Sequence, residues 1–182
     1  RTYRLDSYLL HWPSQHPLEE TIAGFEDLRR AGKILSWGVS NFDVEDLDRA
    51  LAIAGPDQIA CNQVLCHLNE RAIEHAVLPW CGKHGVAIVG YSPFGSGDFP
   101  DPASAGGRVL AGIAQNHGTT PYAVALAYLT RLPGTFTIPK TGRPDRAIEN
   151  AGAADLHLGA AEIALIDAHV PRGPRPRMLP ML

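Results

Sequence analysis

The sequence of 182 residues has little of several features that would place it at once. It holds only three cysteines, Cys61, Cys66 and Cys81. Three thiols cannot all pair, and none stands in a C-x-x-C spacing. Neither a disulfide framework nor a structural zinc site is favoured, and reduced thiols are expected. No apolar run approaches the roughly 20 residues that cross a bilayer, and the opening RTYRLDSYLL lacks both the long apolar segment and the cleavage site of a secretory signal. A soluble cytoplasmic protein is the expectation. Charge of one sign is also scarce: 16 Lys and Arg face 19 Asp and Glu, a net charge of −3, with no basic run outside the extreme C-terminus. That argues against a nucleic-acid footprint. What remains is 45% apolar and 19% charged residues, a composition able to bury a core as one domain or a piece of one.

Five short apolar runs recur, of the kind buried on both faces of a sheet. They are Tyr8 to Trp12, Ser36 to Ser40, Ile59 to Leu65, Val86 to Ser92 and Thr135 to Pro139. Between the first two, Leu18, Ile22, Phe25 and Leu28 share a helical face, with Pro17 at the start and Gly32 at the stop. Asp43 is placed to cap VEDLDRALAIAG, which Gly55-Pro56 ends. Asn69 is placed to cap ERAIEHAVL, until Pro79 interrupts. Pro93 to Gly107, rich in Gly, Pro, Ser and Asp, reads as a functional loop. Helices are expected at Arg108 to His117, after Thr120, near Asp145 to Ala153 and at Ala160 to His169. Strands alternating with helices imply a parallel sheet with right-handed crossovers.

A doubly wound nucleotide fold favours a G-x-G-x-x-G turn after its first strand, and none exists here. The polar and aromatic residues gather instead at strand ends: His11-Trp12, Ser40-Asn41, Asn62-Gln63, Tyr91-Ser92 and Lys140-Thr141. That is the pattern of a (β/α)8 barrel, whose chemistry lies at the C-terminal ends of its strands. Eight βα units usually need about 250 residues, and five strands can be counted. The expectation is an α/β fold: a partial (β/α)8 TIM barrel over residues 1–170, holding about its last five strands, strands 4 to 8. The tail PRGPRPRMLPML over residues 171–182 cannot form a helix and is expected to be disordered.

Several residues carry chemistry by position. Between the last strand and a helix starting near Pro144, Lys140, Arg143 and Arg146 converge with unpaired backbone N–H groups, either as a phosphate site or as an ordinary basic turn. His11 can donate to a carbonyl or act as acid or base, or be a satisfied structural residue. Ser40, Asn41 and Gln63 suit a ligand carboxamide or simple loop capping. Tyr91 can offer its ring to a planar ligand or pack in the rim. Cys66-His67 with Cys81 and His84 has the wrong spacing for standard zinc patterns.

Together, YLLHWP (Tyr8 to Pro13), the stretch Gly24 to Phe42 ending GKILSWGVSNF, CNQVLCHLNER (Cys61 to Arg71), GVAIVGYSPFGSG (Gly85 to Gly97) and IPKTGRPDRAIENAG (Ile138 to Gly152) closely resemble the aldo-keto reductases, most of all bacterial diketogluconate-type members. The resemblance covers almost the whole chain in order. It implies a barrel that binds NADPH across its C-terminal rim and transfers hydride to an aldehyde or ketone. By the same resemblance His11 orients and polarises the carbonyl, and Trp12 is a pocket wall. Ser40, Asn41 and Gln63 hold the nicotinamide carboxamide, and Tyr91 stacks on the ring. Ser92, Phe94, Gly95, Ser96 and Gly97 run along the pyrophosphate. Lys140, Thr141 and Arg146, beside Ile138 and Pro139, clamp the 2′-phosphate, with Glu149 and Asn150 near the adenine. Two cations there favour NADPH over NADH.

The family pairs its His with a Tyr proton donor, a Lys and an Asp drawn from segments before the strand at Tyr8, and the sequence contains none of the three. Cys66 stands where relatives commonly carry an aromatic. The first residue is Arg rather than Met, and the expectation is a reductase without the N-terminal part of its barrel, catalytically incomplete alone. A non-catalytic NADP(H)-binding module or an inert truncated product is the alternative. Edges left open at Tyr8 and Thr135 imply poor solubility or self-association.

Overall fold

The helices begin where the local chemistry can satisfy their free N–H groups. In the computed structural model, which describes residues 2–182, Asp43 Oδ1 accepts from the Val44 N–H at 2.7 Å, Ser104 Oγ from Gly107 N–H at 2.9 Å and Thr120 Oγ1 from Ala123 N–H at 3.2 Å. These caps open α2 (Val44–Ala54), α4 (Ala105–Asn116) and α5 (Pro121–Leu129). The remaining helices are α1 (Leu18–Arg30), α3 (Val77–His84), α6 (Pro144–Gly152) and α7 (Ala160–His169). Pro79 lies in the first turn of α3, where a missing N–H removes no bond.

Five strands alternate with these helices: β1 (Leu5–Leu10), β2 (Ile34–Ser40), β3 (Ile59–Leu65), β4 (Ala87–Tyr91) and β5 (Thr135–Thr137). All pair in parallel, in the order β1-β2-β3-β4-β5. The α/β fold expected from the pattern is the one observed. Between Trp37 and Val39 the β2–β3 register shifts. Gly38 sits at the shift, where a Cβ would stand 2.6 Å from the Cys61 carbonyl oxygen, so any side chain would push the strands apart.

Trp37, Val39, Leu47, Val64, Leu110, Val124 and Ile166 are among the side chains closed off between sheet and helices. Each fully buried aliphatic contributes about 1.5–3 kcal/mol. Helix α5 is buried from Ala123 to Leu129, because α4, α6 and β5 all pack around it. The outer strands lack such cover: Leu5 and Tyr8 on β1 are 47% and 46% exposed, and Phe136 on β5 is 60% exposed.

A buried ionic clamp joins distant parts of the chain. Arg71 is 1% exposed, yet it donates to Asp167 Oδ1 at 2.8 Å, to the Val170 carbonyl at 2.5 Å and to the Tyr128 hydroxyl. Arg131 stacks over the Tyr128 ring at 3.9 Å and donates to Glu74 Oε1 at 2.8 Å. Burial and the Asp167 hydrogen bond push the Tyr128 hydroxyl well above its ordinary range, so it stays a neutral donor.

Residues 171–182 form neither helix nor strand. They run along the body nevertheless: Arg172 donates to the Glu74 carbonyl at 3.2 Å, the Gly173 carbonyl lies 3.1 Å from His75 Nε2, and Leu179 packs against the core. Among the described residues no helix is long and apolar enough to cross a membrane.

Candidate functional site

The strand ends meet through Asn41. Immediately after β2 its backbone takes φ 61°, a left-handed turn that Asn tolerates better than most side chains. That turn lets the Asn41 N–H and the Ser40 hydroxyl both donate to the Gln63 carbonyl at 2.8 Å, beside the Ser40–Gln63 pair in the ladder. The Asn41 amide is 5% exposed. Its Nδ2 donates to the His11 carbonyl at 3.4 Å and to Ser40 Oγ at 3.2 Å, and its Oδ1 accepts from the Tyr91 hydroxyl at 3.2 Å. One side chain therefore ties together the ends of β1, β2 and β4. Next to it, Asn62 is fully buried and brackets Phe42, donating to its carbonyl at 2.9 Å.

His11 and Trp12 stand exposed at the mouth, rings 4.9 Å apart. The Leu182 N–H reaches the Tyr91 hydroxyl at 3.4 Å, which brings the tail to the same rim.

Beyond β4 the chain makes a tight turn in which Ser92, Gly95, Ser96 and Gly97 all have positive φ. Phe94 points away from the opening and packs on Ala123, Leu126 and Ala153, with Tyr122 edge-on at 5.2 Å. It anchors the turn to α5. Asn69, expected to cap a helix, instead donates to the Asp98 carbonyl at 3.0 Å and carboxylate at 2.9 Å.

After β5, the Ile138 N–H continues the ladder to the Gly90 carbonyl at 3.2 Å. Pro139, Lys140 and Thr141 then line a cleft of about 600 Å³ with Thr137 of β5 and Ala147, Asn150 and Ala151 of α6. Arg143 is engaged by Asp145 at 2.6 and 3.2 Å, which holds that carboxyl below its ordinary range. Lys140 and Arg146 form no ion pair among the described residues, so both charges remain available to an anion. Glu149 accepts from the Thr120 hydroxyl, stapling α6 to α5. A separate cleft of about 550 Å³ between α4 and α7 shares no residue with the strand ends.

The three cysteines are buried. Burial pushes the Cys66 and Cys81 thiols up to about 12, so neither is a nucleophile near neutral pH. No group of three or more His, Cys, Asp or Glu able to hold a metal occurs among the described residues. His67, whose spacing fits no standard zinc pattern, lies buried under the turn after β4, its imidazole held below the ordinary His range by burial. Nothing in the sequence singles it out except its place just beyond a strand.

Comparison with known proteins agrees with this arrangement. The Aldo/keto reductase family profile matches residues 1–171. Methylglyoxal reductase YeaE of Escherichia coli is 36% identical over 167 residues, 92% of this chain and 59% of that protein. Glyoxal reductase of Bacillus subtilis is 34% identical over 164 residues, 90% of this chain and 56% of that one. A crystal structure of an aldo-keto reductase from Klebsiella pneumoniae in complex with NADPH superposes with a TM-score of 0.91 at 37% identity, over 100% of this chain and 64% of its own. The chain thus spans about 60% of the length of these relatives. A profile match over nearly its full length, with the five-stranded parallel sheet shared with solved structures at 37% identity, establishes that the chain belongs to the aldo/keto reductase family.

Proposed function

We propose that this chain carries the dinucleotide-binding rim of an NADP(H)-dependent reductase that converts an aldehyde or ketone to an alcohol. The observation that carries the reading is the Asn41 hub, whose buried amide joins the His11 carbonyl and the hydroxyls of Ser40 and Tyr91 while its backbone N–H donates to the Gln63 carbonyl. A carboxamide ligand needs donors and acceptors fixed at such a point, and a ring ligand needs an aromatic beside it. The residues fit a dinucleotide in two further respects. The positive-φ turn at Gly95–Gly97 leaves no side chain at its glycines, and Lys140 lines the cleft after β5, with Arg146 next in sequence to the lining residue Ala147. When bound, the cofactor supplies a hydride. His11 is the group at the mouth able to orient a carbonyl oxygen, and small oxo-aldehydes of the kind named for the relatives are the substrate class.

If Lys140 and Arg146 read the 2′-phosphate, replacing both by Ala is expected to weaken NADPH at least about tenfold while leaving NADH nearly unchanged, since each charge-assisted bond is worth more than a neutral one. Fluorescence titration of the two nucleotides measures this, and equal losses would refute the assignment.

Two consequences belong to the same proposal. The hydroxyls of Tyr91 and Tyr128 are engaged, with Asn41 in one case and with Arg71 and Asp167 in the other, so neither is free to protonate an alkoxide. This favours nucleotide binding without turnover by this chain alone. The apolar exposure at Leu5, Tyr8 and Phe136 also favours association through the sheet edges. Sedimentation should show species heavier than one chain at micromolar concentration, and a strictly monomeric profile would contradict it.

A further inference from the structure

The rim contains one deeply buried polar atom with nothing to bond to. His67 lies two residues beyond β3 and is 4% exposed. Its main chain is tied to Glu70 in both directions, at 3.1 and 3.0 Å, but among the described residues its Nδ1 has no hydrogen-bond partner. That atom faces the turn after β4: a Cβ placed on Gly95 would lie 3.0 Å from Nδ1 and 3.3 Å from Cε1. Gly95 also has φ 72°, so the ring and the backbone both demand glycine there. Three more bonds lock the same loops together, two from Asn69 to Asp98 and one from the Cys66 N–H to the Tyr91 carbonyl at 3.2 Å. Leaving a buried polar atom unpaired is unfavourable, and a site that tolerates one calls for a state in which it is satisfied.

We propose that His67 is a positioning residue for the dinucleotide: it seats the Ser92–Asp98 turn through Gly95, and its Nδ1 becomes a hydrogen-bond partner of that turn when nucleotide is bound. The inference rests on the reading of the turn as the seat of the pyrophosphate. Asp98 and Glu70 are the charged groups acting on the ring, and burial keeps the imidazole neutral. A neutral imidazole can donate or accept at Nδ1 according to its tautomer.

The test compares NADPH and NADH affinity, by calorimetric titration, in the unaltered chain, His67→Leu and His67→Asn. The turn would hold the part that both nucleotides share, so His67→Leu is expected to weaken both by a similar factor, about tenfold. His67→Asn sets a polar atom near the position of Nδ1 and should recover most of the loss. A ring that merely fills space would give the opposite order, because Leu is the better apolar filler. In the NADPH-bound state, amide exchange at Gly95–Asp98 should be slow in the unaltered chain and in His67→Asn, and fast in His67→Leu. If His67→Leu fails to fold, His67→Met replaces it as the apolar filler. Binding that is insensitive to these changes, or a loss confined to NADPH, overturns the role of His67 alone. Absence of binding to either nucleotide by the unaltered chain overturns the reading of the rim, and this inference with it.

Discussion

Replacing Arg71 by Ala is expected to lower the free energy of unfolding by about 3–5 kcal/mol, because it opens a void and strands the buried groups that the guanidinium bonds. The guanidinium holds Asp167, the Val170 carbonyl and the Tyr128 hydroxyl at once. Of these, Asp167 is 48% exposed and can be rehydrated, and Glu74 keeps Arg131. The Val170 carbonyl has no such recourse: its residue is 5% exposed. The larger share of the loss should therefore come from the cavity and that carbonyl, not from the charge pair. Arg71→Met fills the void without a buried charge and should cost less than half as much as Arg71→Ala. Urea unfolding followed by circular dichroism distinguishes the two, and equal losses would assign the effect to charge. The pH dependence has a definite sign. Burial raises the Asp167 carboxyl, but the bonds from Tyr128 and Arg71 outweigh it and hold the group below its ordinary range. Its contribution is complete above the unfolded value of about 3.9 and disappears as pH falls through the lower folded value. The gap between the unaltered chain and Arg71→Ala should narrow only below about pH 4.

Asn41→Ala is the second large effect, and it should act on both stability and binding. Alanine in the left-handed conformation costs about 1–2 kcal/mol, and the three lost amide bonds add about 0.5–1.5 kcal/mol each, for a total of about 2.5–6.5 kcal/mol. Beyond stability, the His11 carbonyl and the Tyr91 hydroxyl lose the one group that bridges them. NADPH affinity should fall at least about tenfold, since loss of preorganisation adds to loss of contacts. Asn41→Asp keeps the backbone preference and the acceptor for Tyr91 but cannot donate to His11, and is expected to fall between the two. A variant that unfolds more easily yet binds NADPH as the unaltered chain does would show Asn41 to be a structural turn residue and no more.

The strand β3 was legible to the residue, because Ile59–Leu65 is an unbroken apolar and small-polar run between turn signals. The outer strand β1 was not. It begins at Leu5, earlier than the run from Tyr8 suggests, because an outer strand with exposed positions tolerates Asp6 and Ser7, which break the apolar pattern. Helix α4 starts at Ala105, inside the stretch that reads as loop. Gly106 and Gly107 argue against a helix on propensity, but Ser104 caps it and both glycines are buried. At the site, the strand-end positions of His11, Asn41, Gln63 and Tyr91 follow from the alternation of strands and helices. Which atom meets which does not: the Asn41–Tyr91 bond spans 50 residues and depends on a left-handed turn that residue type permits without specifying. His67 and Arg71 are illegible for a related reason. Their roles come from burial against loops and helices far along the chain, and no local periodicity encodes that.

The reach of the Arg71 clamp also bears on the order in which the molecule assembles. Successive βα units pair with their immediate sequence neighbours, so the ladder from β1 to β4 can zip up through short loop closures. Arg71 meets Asp167 and Val170 across 96 and 99 residues, and the entropic cost of that closure is small only once β5 and the last helices have docked. Contacts made after the rate-limiting barrier show themselves in how fast a protein comes apart rather than in how fast it forms. The clamp is in this sense a brake on unfolding, setting the lifetime of the native state while leaving the folding speed to the sheet.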